Sequence, residues 1–347
     1  MKRTSIRWAS KATKAWTSLL TAQVRRASRL VGSAGQPAAA QRKRLKNSPG
    51  DWVLGHAIGT SGARRYRLYR PPGVGSTERL PLLVMLHGCG QSADGFAAST
   101  RMNAIAAKHR FLVLYPEQDR LANPQGCWNW FELRSGRALV EAASVVQAID
   151  QVIGLYPVDP ARVAVAGLSA GASLAGLLAV RYPLRFQAVC MHSGVLPGLA
   201  DSTGTAMQAM RGHRQAAALD AGALPPLLLV HGDADRVVAH RNAQTTAQAW
   251  ATSQRALAVP TRQVQRGQRH PMRITEYRSK GKSVVTLCEV TGLGHAWSGG
   301  LASQAHSDPR GPDASALVYA FVARHWNAVP APLVPARGLR DSRITSS

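Results

Sequence analysis

Apolar residues in this chain gather in short runs, and helical spacing fills the intervals between them. Leu80 to Leu86, Phe111 to Tyr115, Val163 to Ala166, Ala188 to Met191 and Leu227 to Val230 are all dominated by apolar side chains. Runs of this kind predict strands buried on both faces. Val284 to Val290 predicts a last strand. Arg64 to Arg70 alternates basic with apolar or aromatic residues and stops at Pro71-Pro72-Gly73, as an edge strand or hairpin arm would. Helical spacing covers about Asp94 to Lys108, Arg137 to about Leu155, the small-residue run Ala172 to Ala179, Arg241 to Gln254 and Asp313 to Trp326. Strands alternating with helices predict an α/β fold, a mostly parallel central sheet with helices on both faces. Pro197 to Pro225 is too long for a simple loop and predicts an excursion over the sheet edge.

Composition adds a boundary to this pattern. The 347 residues are 45% hydrophobic, enough for one large domain, placed here at 51–330. No run of 18 apolar residues occurs, so a spanning helix is not expected. The net charge of +25 is unevenly spread: residues 1–50 hold twelve Lys or Arg and no acid, and the first carboxylate is Asp51. Within that leader Trp8, Ala12, Trp16, Leu20 and Val24 recur at a four-residue interval among basic residues. This is a basic amphipathic helix pattern, suited through residues 1–30 to an anionic membrane or a lipid-coated granule. A helix packed on the domain, or a solubilising tail, fits the same residues. The leader lacks the compact apolar core and cleavage site of a secretory signal. Gly32 to Pro49 reads as a linker, and 331–347 as a flexible tail.

Chemistry gathers where four strands end. Val163 to Ala166 runs into Gly167-Leu168-Ser169-Ala170-Gly171 and then into a helix pattern, the strand, sharp turn and helix of a nucleophile elbow. The plainer alternative is a Gly-rich turn with an inert serine. His87-Gly88-Cys89 follows the Leu80 strand, His231-Gly232-Asp233-Ala234-Asp235 the Leu227 strand, and Gly294-His295 the last strand. A serine hydroxyl needs a base during attack, for which His295 is the candidate, and an acid to orient that base. Asp235 is the candidate acid, with Asp233 as its competitor or as a turn residue. The amides of Ala170 and Cys89 are candidate oxyanion donors, and His87 braces its loop. The order nucleophile, acid, histidine is that of α/β-hydrolases. Cys190 and Cys288 fall inside predicted strands as buried thiols. The four cysteines lack metal-ligand spacing, and no metal or cofactor is expected.

Taken together, Leu86-His87-Gly88-Cys89-Gly90-Gln91, Cys127-Trp128-Asn129-Trp130, Gly167 to Gly171, His231-Gly232 with Asp235, and Gly294 to Gly300 resemble the poly(3-hydroxybutyrate) depolymerase family of esterases over roughly residues 60–326. The resemblance implies an α/β-hydrolase fold and ester hydrolysis through an acyl-serine. It carries the nucleophile onto Ser169, the acid onto Asp235, the base onto His295 and an oxyanion amide onto Cys89. In secreted relatives, cysteines placed like Cys89 and Cys127 can pair, clamping the oxyanion loop to the Trp-rich loop; in a reducing compartment they would stay thiols. Trp128, Trp130 and Trp297 are candidates to line an apolar substrate groove, with ordinary packing as the alternative. Two features depart from many extracellular depolymerases: no polymer-binding domain is evident after the catalytic region, and no clean signal peptide before it.

The expected activity is therefore serine esterase, acting on poly- or oligo-3-hydroxyalkanoate, with feruloyl or acetyl-xylan esterase as the alternative in the same family. The resemblance implies an extracellular setting, while the leader leaves a cytoplasmic or granule-associated one open. A basic surface- or nucleic-acid-binding module on a hydrolase scaffold is the competing class. The charge favours it, but no nucleic-acid motif does, so no nucleic-acid partner is expected.

Overall fold

A computed structural model describes residues 49–328, apart from 76, 217, 218, 220 and 221. The amphipathic leader pattern and the tail over 331–347 lie outside the described residues.

The strands β1 (Asp51–Gly59), β2 (Gly62–Arg70), β3 (Leu80–Leu86), β4 (Leu112–Pro116), β5 (Val158–Leu168), β6 (Ala188–His192), β7 (Leu227–Gly232), β8 (Leu257–Ala258), β9 (Arg262–Val264), β10 (Met272–Ser279) and β11 (Lys282–Val290) form one sheet. Its order is β1-β2-β4-β3-β5-β6-β7-β11-β10-β8, with β9 paired to β10. Strands β4, β3, β5, β6, β7 and β11 run parallel, and antiparallel strands flank them on both sides. Every residue of β3 is buried, as its unbroken apolar run requires.

Alternation along the central strands divides the core in two. Leu82, Val84 and Leu86 of β3, with Val163 and Val165 of β5, face the helices Arg137–Leu155, Ala170–Arg181 and Arg241–Ser253. Leu83, Met85, Ala164 and Ala166 face the helices Ala93–Thr100, Met102–His109 and Ala314–Trp326. Each large side chain buried this way contributes roughly 1.5–3 kcal/mol, so both faces hold the sheet that presents the strand ends.

The structure corrects the sequence pattern in several places. Arg64–Arg70 is a hairpin arm, paired antiparallel with β1, and not an edge strand, because β4 pairs on its other side. The helix expected over Asp94 to Lys108 is two helices. Arg101 takes a left-handed conformation with φ of 55°, and its amide closes the first helix on the Ala97 carbonyl. Strands β1 and β10 escape the apolar pattern because few of their residues are buried. The excursion over 197–225 contains the helix Thr203–Met210, started by a capping box between Ser202 and Thr205.

Candidate active site

The elbow begins with the glycines. A Cβ on Gly167 would lie 2.3 Å from the Gly171 carbonyl oxygen, and one on Gly171 would lie 2.2 Å from the Leu86 carbonyl oxygen. No side chain fits at either position, so strand β5 and the following helix meet closely enough to force a sharp turn between them. Ser169 sits at that turn with φ of 56° and ψ of −120°, and its amide donates to the His192 carbonyl at 2.9 Å. A serine with positive φ is strained, and here the strain lifts its hydroxyl away from the sheet.

Side chains from two other strand ends are brought in line with that hydroxyl. His295 Nε2 lies 2.9 Å from Ser169 Oγ, and His295 Nδ1 lies 2.8 Å from Asp235 Oδ2. A carboxylate only accepts, so the proton resides on Nδ1 and Nε2 faces the serine as an acceptor. Asp235 is held by the amides of Val237 and Val238, each donating to Oδ1 at 2.9 Å. Its remaining neighbour is His231, whose Nε2 donates to the Val238 carbonyl at 3.0 Å and lies 3.4 Å from Asp235 Oδ2. Burial alone would raise the Asp235 carboxyl. The facing His295 and the hydrogen bonds from His231 and His295 outweigh that and hold it well below the usual carboxylate range. Asp233, the competing acid, is exposed and accepts from the Gly292 amide at 2.7 Å, as a turn residue does.

The oxyanion candidates face the same pocket. Ala170 is the first residue of its helix, where amides lack an intrahelical acceptor. On the other loop the Gly88 amide donates to Gln91 Oε1 and the Gly90 amide to the Gln125 carbonyl, leaving the Cys89 amide between them unused among the described residues. Cys89 is disulfide-bonded to Cys127. His87 braces the loop from beneath: Nδ1 contacts the Gly88 carbonyl at 2.9 Å and Nε2 accepts from the Gln118 amide at 3.1 Å. Burial pushes this imidazole down, so it stays neutral there.

Two of the three candidate tryptophans line the pocket, Trp128 and Trp130. The Trp128 indole donates to the His87 carbonyl at 3.0 Å, which ties the pocket wall to the oxyanion loop. Trp297 is placed elsewhere. It is buried beneath the site, stacked on His192 at 5.1 Å, edge-on to Phe96, and donates to Ser315 Oγ at 3.0 Å. Its large apolar ring completes the core on that face and leaves no surface for a ligand. His192 is locked as well, accepting from the Ser298 amide at Nε2, and burial pushes it down to about 3.

The apolar wall contains residues that sequence patterns did not single out: Val195, Met210, Val237 and Val238. Val237 and Val238 were within reach of the sequence, since they follow Asp235 after a single residue. Met210 was not, because only the fold brings the 203–210 helix to the pocket. The space measures about 560 Å3, including the part open to solvent. Among the described residues no group of three or more His, Cys, Asp or Glu is placed to hold a metal ion.

A buried polar network supports the Trp-rich loop from behind. Arg64 Nε and Nη2 donate to Ser144 Oγ, Nη1 donates to the Glu117 carbonyl and to Gln118 Oε1, and the guanidinium lies 5.1 Å from the Trp128 ring centre. Glu141 accepts from the Asn129 amide at 2.7 Å, from Asn129 Nδ2 and from Gln118 Nε2. Nothing in the sequence joined these residues.

Comparison with known proteins agrees with the geometry. A stretch of 110 residues is 41% identical to poly(3-hydroxyalkanoate) depolymerase C of Paucimonas lemoignei, covering 31% of this chain and 26% of that protein. Another of 114 residues is 32% identical to feruloyl esterase B of Neurospora crassa, covering 33% and 39%. The matches thus span well under half of these relatives' length. Among solved structures, an acetyl xylan esterase from Aspergillus awamori superposes with a TM-score of 0.59 at 19% identity, over 70% of this chain and 94% of that one, which shows a shared α/β-hydrolase fold. The sequence model of the esterase PHB depolymerase family matches residues 64–262, more than half of the chain, and the chain belongs to that family.

Proposed function

We propose that the chain hydrolyses carboxylic esters through an acyl intermediate on Ser169, with a 3-hydroxyalkanoate ester or oligomer as preferred substrate. The observation that carries this reading is the hydrogen-bonded line Ser169–His295–Asp235 in a pocket lined also by Cys89, Ala170 and an apolar wall. As Ser169 Oγ attacks the ester carbonyl, His295 Nε2 takes its proton, and Asp235 stabilises the imidazolium that forms. The amides of Cys89 and Ala170 take up the charge that develops on the carbonyl oxygen, each such donor being worth on the order of 10²–10³ in rate. Collapse expels the alcohol, which receives the proton from His295. Water then repeats the sequence with His295 as base, releasing the acid and restoring Ser169.

The depolymerase relative supports the hydroxyalkanoate substrate, and the feruloyl and acetylxylan esterases among the relatives support a second reading, an aryl or acetyl ester of plant polysaccharide. Purified protein assayed on hydroxybutyrate oligomers, methyl ferulate and acetylated xylan separates the two. Hydrolysis of p-nitrophenyl butyrate undiminished in Ser169→Ala would overturn the esterase reading altogether. The basic amphipathic pattern of the leader supports a further contact, of residues 1–30 with a membrane or granule surface. Granule or vesicle binding unchanged after deletion of residues 1–50 would remove that role.

A further inference from the structure

One pocket residue has no part in the steps above. His306 lines the same space as Ser169 and His295 and is half-buried there. Its place is fixed by the backbone. Strand β12 (Trp297–Ser298) continues the His295 loop and pairs in parallel with β13 (Ser307–Asp308), and the Trp297 amide donates to the His306 carbonyl at 2.7 Å. On the core side of the same segment, Ser307 Oγ pairs with Ser99 Oγ.

Two observations separate His306 from the other histidines around the site. His87, His192, His231 and His295 each have ring nitrogens engaged in hydrogen bonds. The His306 ring has none among the described residues. Its backbone is also left-handed, with φ of 57°, and of the described non-glycine residues in that conformation only Ser169 and His306 line the pocket. A strained residue that turns an unpaired polar ring into a reaction pocket points to a ligand contact.

Chemistry gives the contact a direction. In the reaction proposed for Ser169, on which this inference rests, the leaving oxygen must depart toward His295 Nε2 to be protonated. His306 neighbours His295, so it borders the alcohol half of the ester. We propose that His306 is a specificity-determining residue that hydrogen-bonds an oxygen on the alcohol moiety, favouring alcohols that carry a carbonyl or carboxylate close to the ester oxygen, as a 3-hydroxyacyl unit does. Burial, with His295 nearby, pushes the His306 imidazole down to about 4, which leaves it neutral and able to donate beside the His295 cation formed during turnover.

The test compares two butyrate esters that share an acyl group: sec-butyl butyrate and methyl 3-(butyryloxy)butanoate, whose alcohol adds one ester carbonyl. The expected result is that wild type prefers the second, and that His306→Phe lowers kcat/KM for it about tenfold more than for sec-butyl butyrate, the worth of one hydrogen bond. His306→Asn tolerates a left-handed backbone and keeps a donor, so it is expected to retain part of the preference. Equal losses on both esters in either variant, or no wild-type preference, would overturn the assignment. If wild type cleaved neither of these esters nor p-nitrophenyl butyrate, the esterase reading itself would fall, and His306 with it.

Discussion

Cys89, which lines the pocket, is covalently joined to Cys127, the residue before Trp128. The bond spans 38 residues of sequence and ties the oxyanion loop to the pocket wall. Closing a loop of that size restrains the unfolded chain by roughly 3–4 kcal/mol on the entropic account. Cys89→Ser with Cys127→Ser is therefore expected to melt at a lower temperature. It is also expected to lose more in kcat than it changes KM, because in the proposed reaction the Cys89 amide acts on the transition state. Melts and steady-state kinetics on p-nitrophenyl butyrate check both. An unchanged kcat would mean that the loop holds its place without the bond.

Asp235 receives two backbone amides on one oxygen and His295 on the other. Asparagine at this position would present a donor toward His295 Nδ1 and favour the wrong tautomer. Asp235→Asn is expected to lower kcat by about 10³- to 10⁴-fold with little change in the fold. The same carboxyl bears on acid stability. Its folded pKa lies below the unfolded value, so its contribution is present above about pH 3.9 and is lost as pH falls through the folded value. Chemical denaturation of wild type and variant between pH 5 and pH 3 would show it as a difference that shrinks toward the acid end.

His192 gives the opposite group with the same slope. Buried and neutral, it resists protonation down to about pH 3, whereas the unfolded chain takes up a proton near 6.5. Between those values the unfolded state binds the extra proton, so stability falls as pH falls. The slope from one such group is up to about 1.4 kcal/mol per pH unit. His192→Gln is expected to lower stability at pH 7, where a buried imidazole that accepts from Ser298 is lost, and to flatten the dependence between pH 6.5 and pH 4. Urea titrations at pH 4.5, 5.5 and 6.5 measure that slope, and an unaltered slope would exclude His192 as its source.

Most of the candidate site's geometry was legible in the sequence, because each part sits at the end of a buried strand and buried parallel strands write themselves as apolar runs. Ser169, Asp235, His295 and Cys89 each follow such a run. The elbow added a second signal, since two glycines are forced by backbone contacts there. Strands β1 and β10 were not legible: they border solvent, and hairpin pairing rather than apolar alternation defines them. Trp297 misled for a physical reason. A tryptophan beside the base reads equally as a wall or as core, and only packing against Phe96 and His192 decides. The Arg64–Gln118–Glu141–Asn129 network was not legible as a unit because its members are scattered over nearly eighty positions, and only Asn129 lies within a motif. Glu141→Gln tests its weight. One oxygen that accepts from Asn129 would become a donor, with an expected loss of about 1–3 kcal/mol in unfolding free energy.

Met210 reaches the pocket from the end of the helix Thr203–Met210, the segment that sequence patterns left as an excursion. With Val195, Val237 and Val238 it forms the apolar wall, and it is the largest and most flexible side chain there. Shortening it removes volume that an acyl chain can fill without disturbing the strand ends that hold Ser169, Asp235 and His295. Each methylene newly buried contributes about 0.8 kcal/mol, which is close to fourfold in kcat/KM. Met210→Ala is therefore expected to shift the preference among p-nitrophenyl esters toward chains about two carbons longer, raising the octanoate-to-butyrate ratio by roughly tenfold while activity on acetate changes least. Steady-state kinetics across the acetate-to-decanoate series measures it. A uniform loss at every chain length would instead make Met210 a support for the 203–210 helix and assign the chain-length limit to Trp130 or the valines.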